Sequence, residues 1–429
     1  MNAEDRIPVA QAADIFRRAR ELECVGTEDT AVIFHDLGRT VARVRALTDA
    51  FPETALHAVA VKANPLLGVL RRIVGCGAGL EAASIEEAHL ALAAGCPPER
   101  TVFDSPAKTP DELAFALQTG IHVNADDLKE LERIDRIRAS VQTRSRIGLR
   151  INPEVGAGSI AATSVAAPHS RFGVPLERAT DAIVEAFRRR PWLRCLHVHI
   201  GSQGCGLALL AEGVAKLWRL RDAIHRAVGR EQIETVDIGG GLPAAYSSSS
   251  AVPSFLEYAG ALRNKIPGLF GNDVRIITEL GRSIHAGCGF AVSRIEVVKA
   301  AGANPVAVAH LGADLLLRPV YAPEHWSHEF AVLDPTGAVK TGPCRPWTIA
   351  GPLCFAGDII GRDVALPEVR VGDYLLIRDV GAYTISMWSR HCSRRMPLVL
   401  GYDSAPGAIP FATLRSREQV ADIVAYWSP

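Results

Sequence analysis

From about residue 55 to residue 280 the chain repeats one pattern eight times: a short apolar, β-branched run followed by a longer amphipathic stretch. The runs are HAVAVK (57–62), AGLEA (78–82), TVFDS (101–105), GIHVNA (120–125), RIGLRIN (146–152), LRCLHVHIGS (193–202), ETVDIGGG (234–241) and VRIITEL (274–280). Such alternation makes a parallel sheet with helices packed outside it. Eight units are the number that closes a (β/α)8, TIM-like barrel. The helical stretches carry their own start signals: SIEEAHLALAAG opens on Ser84, with Glu87 in the capping-box position.

Beyond residue 284 the pattern changes to closely spaced strands separated by Gly and Pro: FAVSRIEVVKA, PVAVAHL, ADLLLRPVY, EFAVLD, WTIAG and VGDYLLIRD. This is a second, all-β domain. The expected organisation is an N-terminal segment (1–25) packing with the β domain, a barrel (26–283) and the β domain (284–429). The serine run at 247–250 reads as a flexible loop.

Lysine plus arginine balances aspartate plus glutamate at 47 each, so no net field favours nucleic acid or an anionic membrane. The N-terminal residues have neither the charge pattern nor the apolar run of a secretory signal, and no run approaches the ~20 apolar residues of a spanning helix. Nine cysteines without paired spacing suit reduced thiols, hence a cytoplasmic protein. Only seven residues are lysine, and only Lys62 and Lys299 close strongly apolar runs. A buried lysine needs a reason.

In a barrel of this kind the active site forms at the C-terminal ends of the strands. Those ends carry Lys62, Glu81, Asp104 with Ser105, Asn124, Arg150 with Asn152, His199 with Ser202, Gly239 to Gly241, and Glu279 with Arg282. A desolvated lysine has a lowered pKa and becomes an amine that attacks an aldehyde; the bland alternative is an ion pair with a carboxylate such as Glu81. Three consecutive glycines after the seventh strand let backbone N–H groups approach a phosphate, although glycines also make ordinary tight turns. His197 and His199 share one face of a strand, a spacing that suits a metal, a ring lying flat on a planar cofactor, or a hydrogen-bonded core histidine. No third ligand follows with matching spacing, so no metal is expected.

Together these residues resemble the pyridoxal-5′-phosphate (PLP) dependent decarboxylases of the alanine racemase-like fold, especially diaminopimelate decarboxylases and, more distantly, ornithine decarboxylases. The matches are AVKAN (60–64), GLEAASIEEA (79–88), SRFGV (170–174), HIGSQ (199–203), DIGGGLP (237–243), ELGR (279–282), LLLRPVY (315–321), GPLCFAGD (351–358) and GAY (381–383). The resemblance implies that Lys62 forms the Schiff base with PLP and that His199 stacks on its ring. It implies that Ser202, Gly239, Gly240, Gly241, Gly281, Arg282 and Tyr383 bind the cofactor, largely at its phosphate, with Arg150 also in the cofactor set. Glu279 would face the pyridine nitrogen and keep it protonated, which favours decarboxylation over racemisation. Cys354 would donate the proton that replaces CO2, from the second subunit of a homodimer. On its residue type alone Cys354 also reads as a small buried hydrophobe.

One departure shapes the expected substrate. Phe355 stands where the relatives carry the acid that grips a distal amine, and a phenyl ring makes no charge-assisted bond to an ammonium. Arg282, Arg318 and Tyr321 match positions that hold a distal carboxylate. The resulting expectation is an amino acid with a remote carboxylate and no remote free amine, such as a citrate-conjugated diaminopropionate of siderophore assembly or a carrier-bound acidic amino acid. The competing reading is meso-diaminopimelate; an amino-acid racemase and a non-catalytic binding homologue follow further behind.

Overall fold

The computed structural model describes residues 6–300, 304–404 and 411–429; the first five residues of the N-terminal segment lie outside them. The described residues form two compact units, one of 41–243 and 253–284, the other of 6–40, 244–252 and those described between 285 and 429. Neither is one consecutive stretch, unlike the boundaries expected from the sequence.

In the first unit eight strands pair side by side, all parallel: Leu56–Ala60, Gly79–Ala82, Thr101–Phe103, His122–Ala125, Ile147–Asn152, Leu193–His197, Thr235–Asp237 and Arg275–Thr278. Ile277 and Thr278 pair back to Leu56 and His57, so the sheet closes into the expected barrel. The first strand is buried along its whole length, as strands covered on both faces must be. Helices connect the strands. The one at Ile85–Ala93 starts on the predicted cap, with Ser84 Oγ accepting from the Glu87 N–H at 3.2 Å, but Glu87 Oε2 accepts from the Ala83 N–H at 2.8 Å, one residue before the N-cap, so the expected capping box does not close on Ser84.

The second unit is a nine-stranded sheet centred on Gly289–Lys299. Strand Ala31–Asp36 belongs here: it runs antiparallel to Gly289–Lys299 and parallel to Leu398–Tyr402. Helix Val9–Glu21 lays Ala12, Ile15 and Phe16 into the same core, against Phe34, Phe290 and Leu376. Phe34 and Phe290 stack at 4.7 Å.

Three expectations for these residues need correction. ADLLLRPVY is not a strand; Leu317–Tyr321 is a short helix. Pro319 has no N–H for a ladder, whereas in the first turn of a helix that N–H has no partner to lose. The serine run is tied down: Ser248 Oγ donates to Glu329 at 3.0 Å and accepts from Arg6 at 3.2 Å. Lys299 is exposed at the end of its strand, and the buried lysine that sequence reasoning passed over is Lys108, paired with Glu130 at 2.8 Å. Among the described residues no helix is long and apolar enough to cross a membrane.

Candidate active site

Lys62 sits in the three-residue turn that ends the first barrel strand. Its Nζ lies 2.5 and 2.6 Å from the two oxygens of Glu81, which is completely buried. Burial pushes the Glu81 carboxyl up to about 8, against the pull of Lys62 and helped by the charges of Glu279 and Asp104. The ion pair read as the bland alternative is therefore made, and it leaves the amine at the strand end, partly open to solvent.

Across the barrel the charges alternate. Arg150 Nη1 lies 3.3 Å from Asp104 Oδ2, Asp104 Oδ1 lies 3.7 Å from His197 Nδ1, and His197 Nε2 lies 3.4 Å from Glu279 Oε2. Burial alone would keep His197 neutral, but Asp104, Glu279 and Asp237 outweigh it and raise the imidazole to about 9. Glu279 responds in the opposite sense: burial would raise it, yet the charge of His197 above all holds it well below the usual carboxylate range. His199 behaves differently from His197. Its Nδ1 accepts the Gly240 N–H at 3.2 Å, and burial lowers its pKa, so its ring is neutral.

Chain spacing did not reveal that Glu279 joins the two imidazoles: one atom each of His197, His199 and Glu279 lie within 4.8 Å of one another, with His197 Nε2 and His199 Nδ1 at 3.4 and 3.5 Å from the same Glu279 oxygen.

The glycine turn is built for close approach. Gly239 and Gly241 have φ of +66° and +124°, conformations that favour glycine, and a Cβ on Gly240 would lie 2.4 Å from the Glu279 carbonyl oxygen. Arg282, buried directly after Gly281, donates from Nε to Ser202 Oγ at 3.2 Å. Both oxygens of Glu279 are buried without a hydrogen-bond partner. A protonated ring nitrogen is the donor they lack, and Ser202 and Arg282 suit a phosphate beside the glycine turn, whose Gly239 and Gly240 N–H groups are taken by Asp237 and His199. The residues present fit PLP.

In the other unit Tyr383 has φ of +56° and lies under the Arg318 guanidinium at 4.6 Å, with Trp326 on that cation at 4.8 Å. Tyr321 is exposed. Buried Asp358 folds the 351–358 loop by accepting N–H groups from Leu353 at 2.7 Å and Ala313 at 2.6 Å. The loop displays Cys354 and Phe355, both exposed, so Cys354 is not a buried hydrophobe.

Residues 37–286 match the model of the "Pyridoxal-dependent decarboxylase, pyridoxal binding domain" family. The chain is 31% identical over 372 residues to a diaminopimelate decarboxylase of Helicobacter pylori, covering 86% of this chain and 88% of that one. It is 33% identical over 360 residues to one of Pseudomonas aeruginosa, covering 82% and 83%. A crystal structure of diaminopimelate decarboxylase from Helicobacter pylori complexed with L-lysine superposes with a TM-score of 0.82 at 27% identity, covering 95% and 98%. One from M. jannaschii, also with L-lysine, gives 0.84 at 26% identity, covering 96% and 94%. These matches overturn the expectation of a siderophore-type or carrier-bound substrate without a distal amine. The relatives are named for diaminopimelate, the competing reading, and the Phe355 substitution is too narrow a base to outweigh similarity along most of the chain.

Proposed function

We propose, for a chain that belongs to the pyridoxal-dependent decarboxylases, that its substrate is meso-diaminopimelate and its product L-lysine. It is a PLP enzyme and a carboxy-lyase. The observation that carries the reaction type is Glu279, a buried carboxylate held ionised with both oxygens open to a donor. The names of the relatives support the substrate.

When bound, PLP supplies the electron sink that accepts the pair left as CO2 departs. The chain does the rest. Lys62 would tether the cofactor by its amine and Glu279 would hold the proton on its ring nitrogen, with His199 as the residue that would face the ring. Ser202, the glycines 239–241, Gly281, Arg282 and Tyr383 hold the phosphate. Arg150 keeps Asp104 ionised beside them: burial would raise that carboxyl, and the guanidinium brings it below its ordinary value. Arg282, Arg318 and Tyr321 take the distal carboxylate. The distal ammonium meets the ring face of Phe355, a neutral surface that still attracts a cation.

Cys354 holds the replacement proton at Sγ and delivers it to the carbon that CO2 leaves. Exposed Cys354 and Phe355 serve the site of a second copy, so the active form is a homodimer. Nine free thiols fit a reducing cytoplasm.

The test is release of CO2 and formation of L-lysine from meso-diaminopimelate by the PLP-loaded protein. Release of CO2 from another amino acid with none from meso-diaminopimelate would overturn the substrate. Mixing inactive Lys62→Ala and Cys354→Ala chains restores about a quarter of wild-type activity if sites are shared between subunits; no restoration sinks the shared site.

A further inference from the structure

His197 takes no part in the scheme above, yet it is completely buried at the centre of the barrel. Its strand neighbours are Arg150 on one side and Asp237 on the other. The ionisable groups around it are Asp104, Asp237 and Glu279, with Arg150 directed to Asp104 and a neutral His122 nearby. Three carboxyls thus surround one imidazole. Asp237 is the one whose charge is least favoured: burial first, then Glu279, raises it well above its ordinary value, although its oxygens accept from Asn124 Nδ2 at 2.9 Å and from the Gly239 N–H at 3.0 Å. Asp104 is already paired with Arg150. Glu279 has no such cation of its own among the described residues, apart from this imidazole, because His199 turns an acceptor nitrogen toward it.

Glu81, Asp104 and Glu279 bring one oxygen each within 4.8 Å of one another. Three carboxylates that close in a buried site cannot all ionise without compensating cations. Glu81, in contact with Lys62, is raised to about 8 and so is largely protonated at neutral pH, and Arg150 serves Asp104, which leaves Glu279 to His197.

We propose that His197 is a positioning residue for charge, an imidazolium fixed between Asp104 and Glu279 that keeps Glu279 ionised at the barrel centre. It touches neither substrate nor cofactor in this role; it acts through Glu279. The inference rests on the reading of Glu279 given above for its part in the reaction, but the state of His197 itself does not depend on any cofactor.

The first measurement is therefore made on apo-protein. In 15N-histidine-labelled chain, one of the thirteen histidines should retain an imidazolium signal at about pH 8, well above the ordinary value near 6.5, and His197→Gln should remove it. If no imidazolium persists, the proposal fails, whether or not the variant folds. The second measurement is the pH profile of the PLP-loaded enzyme. His197→Gln should lower kcat about ten- to hundredfold, as loss of the partner of a functional group does, with KM near wild type and the acidic limb moved to higher pH. His197→Lys, which keeps a cation, should return part of that loss. A stability loss with an unmoved acidic limb would overturn the role. Failure of the Glu279 reading shows separately, because Glu279→Gln would then leave kcat unchanged.

Discussion

The Lys62 ammonium rests against both oxygens of Glu81, at 2.5 and 2.6 Å, a bidentate contact made by residues at the ends of neighbouring barrel strands. The contact holds the reactive nitrogen at the barrel mouth before any aldehyde reaches it. Lys62→Ala leaves Glu81 buried without its cation. Burial already raises that carboxyl to about 8, so it takes up a proton instead of unfolding the barrel. The expected result is a folded protein with no Schiff-base absorption and activity lower by at least about 10³-fold. Circular dichroism, visible absorbance and CO2 release check the three parts.

Gly240 separates the phosphate turn from the Glu279 backbone. A Cβ there meets the Glu279 carbonyl oxygen at 2.4 Å, so Gly240→Ala displaces either the turn or the acid. We expect PLP to bind at least about tenfold more weakly, a change of about 1.4 kcal/mol. Gly206→Ala is the control: nothing lies within 4 Å of its added carbon, and its φ of −78° suits any residue. Absorbance titration of both apo-proteins with PLP measures the difference.

Stability should peak near neutral pH. Burial lowers His35, His57 and His122 to about 4 and His285 to about 3, all below the unfolded value. The unfolded chain then binds more protons than the native one, so stability is lost as pH falls from about 6.5 toward 4. His197 works the other way: its value of about 9 adds stability below about 6.5 that is lost as pH rises to 9. Each group contributes at most about 5 kcal/mol, from 1.36 kcal/mol per unit. Urea midpoints of apo-protein across this range should trace a dome, and a flat curve would contradict these assignments.

Arg6 is the buried cation of the second unit. Its Nε donates to both oxygens of Asp379 at 3.0 and 3.1 Å, and Nη2 reaches Glu329 at 2.9 Å. Arg6→Met strands the buried Asp379 charge and should cost about 3–5 kcal/mol. Adding Asp379→Asn should recover much of that loss. Equal urea midpoints for the single and double variants would show that the pair is not the source.

The barrel was readable because its strands are short apolar runs and several of its helices begin on a side-chain cap, at Ser84, Thr109, Asp127 and Ser254. The second sheet was less so. Ala31–Asp36 followed by a helix reads as one more βα unit, and its true partners lie at 289–299 and 398–402, a relation that no local window contains. Cofactor residues stood at strand ends, where barrel geometry directs attention. The charge on His197 was invisible, since Asp104 and Glu279 lie far from it in the chain and meet it only when the barrel closes. Lys108 has polar neighbours in sequence; its burial comes from Glu130 and the carbonyls of Ser105 and Asn124.

The placement of Ala31–Asp36 between partners near the two ends of the β unit's sequence has a consequence for synthesis. All eight barrel strands have left the ribosome soon after Thr278, so the barrel can close while the last third of the chain is unmade. Val32 and Phe34, made near the start, must wait for Leu398 and Leu400 before their parallel ladder exists. The nascent chain therefore carries a barrel able to fold and an apolar N-terminal strand that meets its first partner only at 289–293 and its second only at 398–402. That strand is where a chaperone would hold it.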